Sequence, residues 1–147
     1  YIAHKKIGIW GYGITGKSTV QWALRHGAQV SVMDKNELSD QAEYFAQHNI
    51  HFFTQEMLEQ FFASHDLIIP SAGIDLRPFY EKYKDKWLFE IDIFAREFKK
   101  PYIAITGSVG KTTITTLLSQ LLERSGKKII TGGNIGIASL DLLSHQD

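Results

Sequence analysis

Residues 6–18 read KIGIWGYGITGKS, an apolar β-type run closed by a glycine-rich loop that fits two nucleotide-binding patterns at once. Gly11, Gly16, Lys17 and Ser18 satisfy the phosphate-loop spacing G-x-x-x-x-G-K-S. Gly11, Gly13 and Gly16 satisfy the dinucleotide fingerprint G-x-G-x-x-G. Behind the loop, Val20, Ala23 and Leu24 recur at helical spacing and predict an amphipathic helix over residues 18–26. Strand, glycine loop and helix together form the opening unit of a doubly wound α/β fold.

The chain continues in the same rhythm. Residues 29–33 predict a strand with Asp34 at its end, residues 39–48 a helix, and residues 50–53 a short strand. A helix marked by Leu58, Phe61 and Phe62 follows, then a buried-looking strand over 66–69 closed by Pro70. Alternating strands and helices at short intervals imply a Rossmann-like parallel sheet. Right-handed crossovers then gather the glycine loop, Asp34 and the stretch Ser71, Ala72, Gly73 at one crevice along the strand C-ends. The stretch from Leu76 to Lys100 is aromatic and charged, with a helix predicted over 91–99 and broken by Pro101.

A second unit opens there. Residues 102–105 predict a strand running into TGSVGKTT, residues 106–113. The helix behind it has the clearest periodicity in the chain: Ile114, Leu117, Leu118, Leu121 and Leu122. Residues 128–130 predict a further strand leading to Gly132-Gly133-Asn134-Ile135-Gly136. The expected organisation is a Rossmann-like domain over residues 1–93 and the start of a P-loop-type α/β ATPase domain over 94–147. The chain begins at Tyr1 and stops just after a short apolar run, so a piece of a longer protein is expected.

Composition narrows the class. The chain has 147 residues, of which 44% are hydrophobic and 22% charged, enough apolar material for a real core. Sixteen basic residues balance sixteen acidic ones, so net charge points to neither a nucleic-acid nor a membrane partner. Cysteine is absent, which excludes a disulfide framework and a thiolate metal site. The six histidines lack paired ligand spacing and read as surface or structural residues. No run is long and apolar enough to span a bilayer, and the first residues do not resemble a signal peptide. A cytoplasmic protein is expected.

The two loops differ in context. In the second, Gly107 and Gly110 let backbone N–H groups turn inward around an anion, at the positive end of a strong helix. Lys111 can reach the outer phosphates as a mobile point charge, and Thr112 can offer its hydroxyl to Mg²⁺. Ile105 stands where the strict phosphate-loop pattern has its first glycine. The first loop has the literal spacing, yet Gly13 and an acid at the next strand end fit the dinucleotide pattern better. A nicotinamide or flavin nucleotide is the ligand these residues suggest unaided. Glycines serving only tight strand–helix packing are the alternative.

Thr106-Gly107-Ser108-Val109-Gly110-Lys111-Thr112-Thr113, followed by Gly132-Gly133-Asn134-Ile135-Gly136, resembles the ATP-binding signature of the Mur ligases, which build the peptide stem of bacterial cell-wall precursors. GYGITGKS, the strand end at Asp34, Ser71-Ala72-Gly73 and residues 90–94 resemble the D-glutamate-adding branch of that family. The resemblance implies that the first loop takes a uridine diphosphate. Gly13, Ile14 and Thr15 would then lie near the diphosphate and Asp34 and Lys35 at the uridine end. Ser71, Ala72 and Gly73 would lie along the crevice, with Asn134 near the substrate. It implies ATP on Gly107, Ser108, Val109, Gly110, Lys111, Thr112 and Thr113, with Lys111 catalytic and Thr112 on Mg²⁺. The implied substrates are UDP-N-acetylmuramoyl-L-alanine and D-glutamate, handled by a monomer. The sequence departs from the family pattern at Val109, where asparagine is usual, and at Ala72, where proline is common. The family's further metal ligands, its catalytic histidine and its C-terminal domain find no counterpart within these residues. The chain alone is therefore expected to be inactive. Another Mur-type ligase, or an NAD-binding oxidoreductase or regulatory module, are the rival readings.

Overall fold

The computed structural model describes residues 1–133 and 136–145. Four parallel strands form its sheet: β1 (Lys6–Trp10), β2 (Gln29–Met33), β3 (His51–Phe53) and β4 (Leu67–Pro70). Their order is β3-β2-β1-β4. The chain steps outward twice from β1 and then crosses back to its other side, so strand order reverses beside β1. Such a reversal opens a crevice at the strand C-ends. Ile7 pairs with Val30 on one side and Leu67 on the other, which brings Trp10, Met33 and Pro70 level at that edge. Beyond β4, the Leu88 N–H donates to the Ile68 carbonyl at 3.0 Å, extending the order by one bridge.

Alternation along the strands sends side chains to two faces, and helices cover both. Ile7, Ile9, Val30, Val32 and Ile69 point to one face, where α1 (Ile14–Arg25) buries Val20, Trp22 and Ala23. The helix α2 (Ala42–Gln47), which follows a 3₁₀ turn at Ser39–Gln41, adds Phe45 on the same side. Trp10, Met33 and Ile68 point to the other face, against Phe61 and Phe62 of α3 (Leu58–Ser64). There the aromatic stretch after β4 packs on α3, with the Tyr83 ring stacked 3.9 Å from that of Phe62.

The helix α4 (Glu90–Glu97) buries Ile93 and Phe94 and is tied to α1 by the Trp22 indole N–H, which donates to Glu97 at 2.9 Å. A 3₁₀ segment, Ser139–His145, lies against both helices and buries Leu140 and Leu142 in their core. No helix among the described residues is long and apolar enough to cross a membrane.

The second half departs from expectation. The helix α5 (Lys111–Arg124) forms, but none of its residues is buried, and Ile114, Leu117 and Leu121 of its apolar stripe are exposed. Residues 102–105 and 128–130 are not strands. A β-run becomes a strand only when a neighbour completes its ladder, and no such partner stands beside either run among the described residues. Helix α5 needs no such partner, because its backbone bonds are internal.

His65, just beyond α3, is 4% exposed, with its Nδ1 2.6 Å from the Phe61 carbonyl and its ring against Phe53 and Phe61. Burial holds its pKa below the usual 6.5, and the nearby Lys86 and Lys6 act in the same direction, against Asp66 and the Phe61 hydrogen bond. The folded protein therefore keeps His65 neutral where the unfolded chain takes up a proton. The His65 contribution to urea-unfolding free energy should hold level above about pH 6.5 and be lost progressively as pH falls below it. His65→Gln should flatten that fall; an unchanged slope in the variant would assign the acid sensitivity elsewhere.

Candidate functional site

The three glycines of the first loop do three different things. Gly11 turns the chain out of β1 at φ +98°, a conformation glycine adopts without cost. Its N–H donates to the Met33 carbonyl at 2.7 Å, and its carbonyl accepts from the Ser71 hydroxyl at 3.2 Å. The ends of β1, β2 and β4 are thus tied together at one point. Gly16 lets α1 approach: a Cβ there would stand 2.0 Å from the Gly11 carbonyl oxygen. A Cβ at Gly13 would meet nothing within 4 Å, so the loop backbone is open to a ligand. Turn, open approach and close packing are the duties the dinucleotide fingerprint assigns to its glycines.

The loop faces solvent at Gly13 and Ile14. Gly13 caps α1 without a side-chain hydrogen bond, and no acidic residue occupies the first turn. The first-turn amides therefore present a positive helix end at the crevice. Gly13 and Ile14 are exposed, Thr15 half-buried and Lys35 exposed. Ser71 is half-buried at the end of β4, with Ala72 and Gly73 exposed beyond it. The structure brings all of these to one edge of the sheet. Asn134 lies outside the described residues.

Asp34 has a part its sequence position did not reveal. Its Oδ2 accepts the Tyr12 N–H at 2.7 Å and its Oδ1 accepts the Asn36 N–H at 2.9 Å. The carboxylate therefore clamps the glycine loop to the end of β2, while retaining lone pairs for a ligand hydroxyl or amide.

The second loop has its own geometry. Gly107 and Gly110 have φ values of +152° and +80°, and Gly110 caps α5 in the left-handed conformation. The Lys111 ammonium folds back to donate to the Gly107 carbonyl, spanning the loop mouth. Residues 106–110, Thr112 and Thr113 are exposed, and Val109 is 90% exposed. Among the described residues no group of three or more His, Cys, Asp or Glu side chains could hold a metal ion.

A contact without any local sequence signal links the two halves. The Ser18 hydroxyl in α1 donates to Asp141 Oδ1 at 2.6 Å. Burial pushes the Glu90 carboxyl up, although hydrogen bonds from Ser139 and Leu140 oppose the shift. Glu90 thereby holds the start of the 3₁₀ segment that follows the Gly132–Gly136 stretch, and Ser18 holds its middle. The residues involved lie far apart in sequence, and only the tertiary packing joins them.

Comparison with known proteins gives two family matches: "Mur ligase MurD-like, N-terminal domain" over residues 5–92 and "Mur ligase middle domain" over residues 105–145. A UDP-N-acetylmuramoylalanine–D-glutamate ligase from Pasteurella multocida is 38% identical over 146 residues, covering 97% of this chain and 33% of the relative. The ligase of the same name from Buchnera aphidicola is 35% identical, with the same coverage. The chain thus spans about a third of the length of these curated relatives. Among solved structures, a pseudomurein peptide ligase type C from Methanothermus fervidus superposes with a TM-score of 0.55 at 24% identity, over 84% of this chain and 27% of its own; this likeness concerns the fold.

The Asp34 clamp is open to test without ligand. Asp34→Ala removes the acceptor of two backbone amides and should lower unfolding free energy by about 1–3 kcal/mol. Asp34→Asn keeps one acceptor oxygen and should fall between the alanine variant and the native protein. Urea unfolding measures both, and native stability in Asp34→Ala would show that the loop does not depend on the clamp.

Proposed function

The chain belongs to the Mur ligase family, and we propose that it is the nucleotide-sugar-binding domain and the opening of the ATPase domain of a D-glutamate-adding ligase. The observation that carries this reading is the coexistence of two loops with different geometries. One is an open Rossmann-type loop whose glycines turn, admit and pack. The other is a helix-capping phosphate loop with its lysine across the mouth. A dinucleotide module needs only the first. An enzyme that joins a nucleotide-linked acid to an amine with ATP needs both.

In this reading residues 1–93 form the UDP-sugar domain and 94–147 the start of the ATPase domain. The diphosphate rests on the first-turn amides at Gly13, Ile14 and Thr15, where helix charge and free N–H groups favour an anion. Asp34 and Lys35 receive the uridine, and Ser71, Ala72, Gly73 and Asn134 lie towards the sugar and its acid. ATP occupies residues 107–113, where the glycine turns supply amides and Lys111 supplies charge. Thr112 would hold Mg²⁺, which when bound neutralises charge on the transferring phosphoryl group.

The substrate is UDP-N-acetylmuramoyl-L-alanine. Its alanyl carboxylate oxygen takes the γ-phosphoryl group and ADP leaves. The amine of D-glutamate then attacks the resulting acyl phosphate, forming the amide and releasing phosphate. Lys111 and the loop amides stabilise charge on the phosphoryl oxygens during the first step. The protein would act as a cytoplasmic monomer in cell-wall precursor synthesis, and so in cell shape and division.

In a catalytically complete ligase carrying this sequence, Lys111→Ala should lower kcat by at least about a hundredfold, the scale expected when a preorganised charge on the transferring group is lost. Lys17→Ala should change kcat by less than about tenfold, with any effect falling on the KM for the nucleotide sugar. Steady-state kinetics with the two effects exchanged would place ATP on the first loop and overturn the assignment.

A further inference from the structure

Lys17 sits where a cation is least welcome. It occupies the first turn of α1, beside the positive end of the helix dipole, with no acidic residue in that turn to offset it. Helix side chains lean towards the N-terminus, so Lys17 leans back over the loop it follows. Its ammonium lies 5.6 Å from the centroid of the Tyr12 ring. That ring is a fixed platform. Tyr12 is 7% exposed, meets Phe45 of α2 edge-on at 5.1 Å, and has its N–H held by Asp34. Lys17 itself is exposed and makes no ion pair among the described residues.

An exposed lysine on a helix normally either pairs with an acid or extends into water. This one is exposed without an ion pair among the described residues, and its ammonium lies over the ring of Tyr12, a residue of the glycine loop. Helix end and lysine together concentrate positive charge at one spot, which disfavours the empty loop and favours a multiply charged anion there. We propose that Lys17 is a binding residue for the diphosphate of the nucleotide sugar and that Tyr12 is its positioning residue. The proposal rests on the reading of this crevice as the UDP site. It also accounts for the literal phosphate-loop spelling of residues 11–18, in which the lysine serves a diphosphate other than that of ATP.

Calorimetric titration with UDP and with uridine, at low and at physiological salt, tests the idea. Lys17→Met should weaken UDP binding by about tenfold and flatten its salt dependence, leaving uridine binding unchanged. Lys17→Arg should restore most of the loss. Tyr12→Leu should reduce UDP affinity in the native background and add little in the Lys17→Met background, which a purely structural role for the ring would not produce. UDP binding by Lys17→Met with native affinity and native salt slope would overturn the proposal while leaving the crevice assignment standing. Equal losses for UDP and uridine would overturn it as well. Failure of the native protein to bind UDP would remove the crevice assignment and the proposal together.

Discussion

The approach of α1 to the end of β1, with Gly16 against the Gly11 carbonyl, is the contact on which the site depends. A side chain at Gly16 would put its Cβ 2.0 Å from that oxygen. The close approach sets the first turn of α1 directly beside the end of β1. The Gly11 carbonyl also accepts from Ser71 and the Gly11 N–H donates to Met33, so one peptide region sets the positions of three strand ends. Asp34 completes the arrangement by taking the Tyr12 N–H. The glycine loop is thus positioned largely through its backbone, which the Ser71 and Asp34 side chains tie to the neighbouring strand ends.

The same logic separates the two loops. In the first, glycines create close packing inside a finished sheet, and α1 buries half of its residues. In the second, glycines at positive φ cap a helix whose apolar stripe is still exposed. Loop geometry is local and forms in both cases. Strand pairing is not local, which is why residues 102–105 and 128–130 stay outside any sheet while α5 is complete.

Much of the first half could be read from residue order. The 6–10 run, the glycine spacing and the apolar recurrence at Val20, Ala23 and Leu24 foretell β1, the loop and α1, because each is a short-range pattern. The helix starts earlier than the apolar pattern does, at Ile14, since a helix end is defined by backbone bonds and not by its buried face. The convergence of Asp34 and Ser71 on the loop follows from parallel topology. What Asp34 does there does not follow, for a carboxylate at a strand end can face a ribose or its own backbone with equal ease. The Ser18–Asp141 and Glu90–Ser139 contacts leave no trace in spacing, because they depend on how a distant 3₁₀ segment packs. Lys17 left a trace of another kind, a cation where helix electrostatics disfavours one.

In the proposed ligase, two similar-looking loops divide two phosphate-bearing ligands between them. Amide hydrogen exchange, followed peptide by peptide in a complete ligase carrying this sequence, tests it most directly. UDP should slow exchange across residues 11–17 and leave 106–113 unaffected, whereas Mg²⁺-ATP should slow exchange across 106–113 and leave 11–17 unaffected. Protection of residues 11–17 by Mg²⁺-ATP, with none at 106–113, would contradict this division of ligands.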